Sequence, residues 1–185
     1  YVTIRFGKTY EPTKGMFNMN KITIIGTGSV GSAIARRLRA FDVQTVGMNR
    51  SGHPVAEFDQ TQPTCRLDDL LPLADLVICA MPLTAETAGL FDSVRLAKIK
   101  PGAVFVNVAR GKVTDQQALV EALQSGQLSG AVLDVFEEEP LPRSSPLWDM
   151  EQVILTPHNS FVGEHNGERL FKCIKEHLYE LSKEC

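Results

Sequence analysis

The fold class that this sequence predicts is a doubly wound parallel α/β sheet with helices on both faces, and three observations carry it. The run Gly26-Thr27-Gly28-Ser29-Val30-Gly31 follows the apolar Ile22-Thr23-Ile24-Ile25 and opens an amphipathic stretch, in the order strand, glycine turn, helix. From Lys21 onward, short apolar runs alternate with helical patterns, which favours parallel strands joined by crossover helices. Those runs are apolar at successive positions, as strands covered on both sides must be.

The glycine turn comes first. Gly26 lets the chain turn sharply, and Gly28 has no side chain to hold a pyrophosphate away from the backbone. Gly31 lets the next helix pack close to the strand. N–H groups at the helix start, around Ser29 and Val30, then face the phosphates with the positive end of the helix dipole. After the turn, Val30, Ile34, Leu38 and Phe41 fall on one face of a helix over 29–41. Strands are expected at 21–26, 44–48, 75–80, 103–108, 129–134 and 153–155. Helices are expected near 67–73, near 93–99 and over 114–125, with Thr114 and Gln117 as a capping box for the last. Leu170, Phe171, Ile174, Leu178 and Leu181 predict a final amphipathic helix from about 164 to 183. The expected division is an arm or domain remnant at 1–20, a Rossmann-type domain at 21–161 and a C-terminal helix at 162–185. The sequence opens on Tyr1, and Met19 ahead of the first strand would also serve as a start.

Composition narrows the function classes. The 185 residues are 43% hydrophobic and 22% charged, which are globular values. With 19 basic and 22 acidic residues the formal charge is −3, so nothing electrostatic points to nucleic acid or an anionic membrane. No apolar run approaches the roughly 20 residues that span a bilayer. Cys65, Cys79, Cys173 and Cys185 show no metal-site spacing, and Cys79 lies inside an apolar run as a small buried hydrophobe. No metal is expected, and a reduced, cytoplasmic setting fits the cysteine usage.

The second strand ends in Asn49-Arg50-Ser51, where NAD-binding versions of this fold place an acidic residue for the ribose hydroxyls. A carboxylate would repel a 2′-phosphate, whereas Arg50, Asn49 and Ser51 would bind one, so NADP(H) is expected over NAD(H). The alternative is that Arg50 is an ordinary solvated loop residue.

Three later segments place a polar group just after a strand: Asn107-Val108-Ala109-Arg110, Asp134-Val135-Phe136-Glu137-Glu138-Glu139-Pro140 and Thr156-Pro157-His158. The carboxyl edge of an open parallel sheet is where ligands bind, so one cleft can collect all three. An arginine, a carboxylate and a histidine suit reversible reduction of a 2-keto acid. Arg110 clamps a carboxylate and polarises the carbonyl, and protonated His158 donates the proton. Glu139 accepts the other imidazole N–H and fixes the ring. Asp134 is placed to orient the nicotinamide end. Singly, each has an ordinary reading as a surface arginine, an acidic loop or a structural histidine. Their joint occurrence behind a glycine turn favours the catalytic one. His53 reads as a loop residue.

With these segments in hand, the chain resembles the D-isomer-specific 2-hydroxyacid dehydrogenases from about Lys21 to Phe161. The marks are ITIIGTGSVG, MPLTAET at Met81 to Thr87, NVARG, LDVFEEEPLP and SPLWDMEQVILTPH. The resemblance implies hydride transfer with Arg110, Glu139 and His158 as the catalytic set. It also implies cofactor contacts from the turn, from Met81, Pro82 and Thr87, from Val108 to Arg110, and from Asp134. The glutamate before the family's proline matches Glu139. The basic tip at Arg50 is similar to the NADP-preferring glyoxylate and hydroxypyruvate reductase branch. Members are roughly twice as long, because a substrate domain precedes the nucleotide-binding one, and that domain is largely absent here. A homodimer is expected on the same ground. The competing reading is a non-catalytic NADP(H)-binding module.

Overall fold

A computed structural model describes residues 20–160 together with Glu168, Phe171, Lys172 and Lys175. The arm expected at 1–20, except Asn20, and the final helix, except those four residues, lie outside the described residues.

Among the described residues, seven parallel strands form one sheet in the order β3-β2-β1-β4-β5-β6-β7. They are β1 (Lys21–Ile25), β2 (Gln44–Asn49), β3 (Gln60–Pro63), β4 (Leu76–Cys79), β5 (Ala103–Asn107), β6 (Leu128–Leu133) and β7 (Val153–Leu155). All six expected strands form, within two residues of the expected ends. β3 was not expected. Its sequence Gln-Thr-Gln-Pro has no apolar run, and its proline is tolerated because β3 is an edge strand. The order reverses between β1 and β4, which opens a crevice at their carboxyl ends.

The crossovers hold α1 (Ser29–Leu38), α2 (Leu67–Leu70), α3 (Ser93–Lys98) and α4 (Gln116–Gln124). Strand side chains alternate between two apolar layers, as the pleat requires. Ile22, Ile24 and Ile78 pack with Ala35 and Phe58 on the α1 side. Val77, Cys79, Ala103 and Phe105 pack with Leu71, Leu96, Leu119 and Leu123 on the other. Phe91 meets Phe105 edge to face there, with ring centroids 5.1 Å apart. Burial pushes the Cys79 thiol far above its ordinary pKa, so it is an inert hydrophobe as expected.

Two local expectations need correction. The buried face of α1 is Gly31 and Ala35 flanked by Ile34 and Leu38, while Val30 is 51% and Phe41 68% exposed. Val30 stands in the first turn, where α1 begins beyond the ends of the strands, and Phe41 lies past the helix in a 3-10 turn at Arg39–Phe41. The cap of α4 is Asp115, which accepts from the Ala118 N–H at 2.9 Å, and Gln117 instead donates to Glu121 at 3.0 Å. Thr114 is one residue too early and is buried against the Asn107 amide at 3.4 Å.

Asp75 ties the opposite edge of the sheet. Its Oδ2 accepts from the Asn20 and Lys21 N–H groups at 2.9 Å each, and its Oδ1 pairs with Lys100 at 2.5 Å. Burial alone would raise this carboxyl, but the Lys100 ammonium and the two N–H groups outweigh it and hold its pKa below the ordinary value. A carboxyl depressed in the native state stabilises fully above the ordinary aspartate range and ceases to as pH falls through the native value. Asp75→Asn is therefore expected to cost about 1–3 kcal/mol at pH 7. The loss should shrink on acidification, as read by urea unfolding at several pH values.

Candidate functional site

The glycine turn sits at the crevice between β1 and β4. Gly26 has φ +108°, and a Cβ there would come within 2.5 Å of the Ala80 carbonyl oxygen. A Cβ on Gly31 would lie 1.9 Å from the Gly26 carbonyl oxygen, so the helix starts in contact with the turn itself. Gly28 is different, since a Cβ there would meet nothing within 4 Å. The protein's own packing does not require that glycine, which leaves a bare backbone facing open space. At the head of α1, Gly28 provides no side-chain cap and the first turn carries no acidic residue. This is a cradle suited to a pyrophosphate, so the residues present fit a dinucleotide.

Around the crevice the expected contact residues are not equivalent. Ser29 and Val30 are exposed at the turn, and Arg50 and Ser51 are exposed at the end of β2. Asn49 is a brace: its Nδ2 donates to Thr27 Oγ1 at 3.2 Å and to the His53 carbonyl at 2.9 Å, and its Oδ1 accepts from Gly52 N at 2.7 Å. Its amide is thus engaged by the loop and by the glycine turn. After β4, Met81 is buried in the core, while Pro82 is exposed. Thr87 Oγ1 donates to the Pro82 carbonyl and accepts from Thr84 N, both at 2.7 Å, which closes that loop on itself.

Asn107, which sequence reasoning passed over, shapes the loop after β5. Its Oδ1 accepts from Ala109 N at 3.0 Å and its Nδ2 donates to the Arg110 carbonyl at 3.1 Å. A buried amide at the end of an apolar strand was the available signal. Ala109 is consequently buried with its N–H engaged, so Val108 and Arg110 keep the surface of that segment. The Arg110 guanidinium rests on the Ala109 carbonyl at 2.6 Å.

His158 and Glu139 are brought together, with Nδ1 and Oε2 2.7 Å apart. The other carboxylate oxygen of Glu139 accepts from Phe136 N at 3.0 Å. Burial alone would raise the Glu139 pKa, but the Phe136 N–H and the His158 ring outweigh it and keep the carboxylate below its ordinary value. A Cβ on Gly111 would lie 1.8 Å from the Phe136 carbonyl oxygen, so the arginine loop is pressed against the glutamate loop.

Asp134, expected at the nicotinamide end, directly follows β6. It is 2% exposed, and its carboxylate faces inward. Oδ1 accepts from Thr156 Oγ1 at 2.5 Å and Asn159 N at 3.1 Å, and Oδ2 accepts from Ser160 N at 3.1 Å. Burial would raise its pKa, yet these donors more than compensate and lower it. The clamp closes residues 156–160 around one carboxylate and holds His158 in the left-handed region at φ +50°, a conformation that costs a non-glycine residue about 1 kcal/mol or more. Asp134→Asn is expected to raise amide exchange at Asn159 or Ser160 about tenfold, since the amide nitrogen that replaces one carboxylate oxygen cannot accept. Unchanged exchange at both would refute the clamp.

With this geometry in view, comparison with known proteins is specific. Residues 6–160 match the family described as D-isomer specific 2-hydroxyacid dehydrogenase, NAD binding domain. A glyoxylate/hydroxypyruvate reductase B from Citrobacter koseri is 40% identical over 158 residues, covering 85% of this chain and 49% of that protein. An NADPH-dependent glyoxylate/hydroxypyruvate reductase from Sinorhizobium meliloti, solved with NADP and sulfate, superposes with a TM-score of 0.79 at 32% identity. That match covers 88% of this chain and 52% of the other. A D-isomer specific 2-hydroxyacid dehydrogenase from Xanthobacter autotrophicus, solved with NADPH and MES, gives a TM-score of 0.71 at 40% identity, over 75% of this chain and 44% of the other. The chain spans about half the length of the curated relatives it matches. The chain belongs to the D-isomer specific 2-hydroxyacid dehydrogenase family, of which it carries the NAD-binding domain.

Proposed function

We propose that this chain is the coenzyme-binding and catalytic half of an NADP(H)-dependent 2-keto acid reductase, with Arg110, Glu139 and His158 as its catalytic residues. The observation that carries this reading is the His158–Glu139 pair, held 2.7 Å apart on the sheet edge that also bears the open glycine cradle. Bound NADPH supplies the hydride. Glu139 accepts the Nδ1–H of a protonated His158 and stabilises its charge. His158 then gives a proton from Nε2 to the keto oxygen as that oxygen gains negative charge, and so leaves the ring neutral. Arg110 binds the substrate carboxylate and steadies the developing oxyanion through guanidinium N–H groups other than the one that its Nη1 gives to the Ala109 carbonyl. Asp134 keeps His158 in reach of the cleft.

Gly26, Gly28, Ser29, Val30 and Gly31 form the pyrophosphate side of the cofactor site, and Arg50 with Ser51 the 2′-phosphate side. Relatives solved with NADPH or NADP support that assignment. Residues 21–161 are taken as one coenzyme domain, flanked by the arm and by the C-terminal helix. A small 2-keto or 2-hydroxy acid as substrate, a homodimer and a cytoplasmic setting complete the proposal. Among the described residues no helix is long and apolar enough to cross a membrane. The competing reading is a module that binds NADP(H) without turnover, since the chain spans about half the length of its relatives.

Oxidation of NADPH by the purified chain with glyoxylate or hydroxypyruvate is the expected outcome. His158→Ala should lower it by about a hundredfold or more. Cofactor binding without turnover would support the non-catalytic module instead. Arg50→Ala is expected to weaken NADPH binding about tenfold or more and NADH binding less than twofold, by fluorescence titration. Equal losses would overturn the 2′-phosphate assignment.

A further inference from the structure

The loop after β2 contains a contact that the residues assigned so far do not use. Ser51 Oγ lies 3.0 Å from His53 Nδ1, with both residues exposed. The loop around them is held from within. The Asn49 amide bonds both Gly52 N and the His53 carbonyl, and it also reaches Thr27 in the glycine turn. Gly52 has φ +75°, and a Cβ there would lie 2.7 Å from Pro63 Cδ, so the loop is seated against the end of β3. His53 and Ser51 therefore face each other in a prearranged turn, beside Arg50.

A serine hydroxyl has one hydrogen and two lone pairs, and imidazole Nδ1 either donates or accepts according to tautomer. If the hydroxyl gives its hydrogen to Nδ1, none is left for a phosphate oxygen. If Nδ1–H donates to Oγ, the hydroxyl hydrogen is turned outward. A phosphate dianion offers only acceptors and so selects the second arrangement. We propose that His53 is a further specificity residue for a ribose 2′-phosphate, donating Nδ1–H to Ser51 Oγ and so directing the Ser51 hydroxyl at that phosphate. The inference rests on the NADP(H) reading above. His53 acts through Ser51 and is a positioning residue. It needs no net protonation, because the neutral Nδ1–H tautomer suffices.

Fluorescence titration of the full chain with NADPH and with NADH, in the wild type, His53→Ala, Ser51→Ala and the double variant, tests this. The wild type should prefer NADPH. His53→Ala should weaken NADPH binding about fivefold and leave NADH binding within twofold, the latter showing that the domain is intact. In the Ser51→Ala background His53→Ala should cause no further loss, as two residues acting through one contact require. Equal losses for the two cofactors, no loss for NADPH, or an undiminished loss in the Ser51→Ala background would each overturn the role of His53 while leaving a wild-type preference for NADPH intact. A wild type that binds both cofactors equally would overturn the 2′-phosphate reading and this inference together.

Discussion

Close backbone packing at the carboxyl end of β1 is the constraint on which the rest of the site depends. Gly26 leaves no room for a Cβ against Ala80, and Gly31 leaves none against Gly26. Strand β4, the turn and helix α1 are therefore locked at van der Waals distance where the strand order reverses. That packing aims the first N–H groups of α1 at open space beside Gly28. It also puts the loops after β2 and β4 on either side of the same opening. Any side chain at Gly26 or Gly31 would separate these parts, and the cradle would be lost with them.

From this centre the parallel register carries order outward. Every strand ends at the same edge, so the groups following β5, β6 and β7 are delivered to one side of the sheet. Delivery is not enough for chemistry, because loops after strands are free to turn away. Here three buried polar groups fix them. Asn107 closes the loop that ends in Arg110, Asp134 closes the loop around His158, and the Phe136 N–H holds the glutamate that meets His158. Each is a buried polar group engaged by hydrogen-bond partners, which is how such a group adds rigidity rather than a penalty. Order at this edge thus rests on buried residues.

Most of the architecture was legible in the residues. Apolar runs of three to six residues, separated by helical patterns, marked six of the seven strands described, because strands covered on both faces leave a continuous apolar signature. The edge strand β3 carries no such signature, since it borrows its stability from pairing with β2. The partners Glu139 and His158 were also legible, through their places after strands and their complementary chemistry. The bracing roles of Asp134 and Asn49 and the burial of Ala109 were not. A carboxylate after a strand reads the same in sequence whether it faces a ligand or its own neighbouring loop.

By itself, then, the sequence determined the class of fold, the glycine turn, the likeness to one enzyme family and the chemical types gathered at one edge. These depend on local periodicity and on residue types at given spacings, which a linear chain displays directly. Tertiary structure alone decided which polar groups face inward and which outward. Asp134 lies 22 residues from Thr156 and Asn49 22 from Thr27, and those bonds exist only once the strands are aligned. It also decided that α1 lies on Gly31 and Ala35, because the nearest approach of a helix to a sheet selects its smallest face.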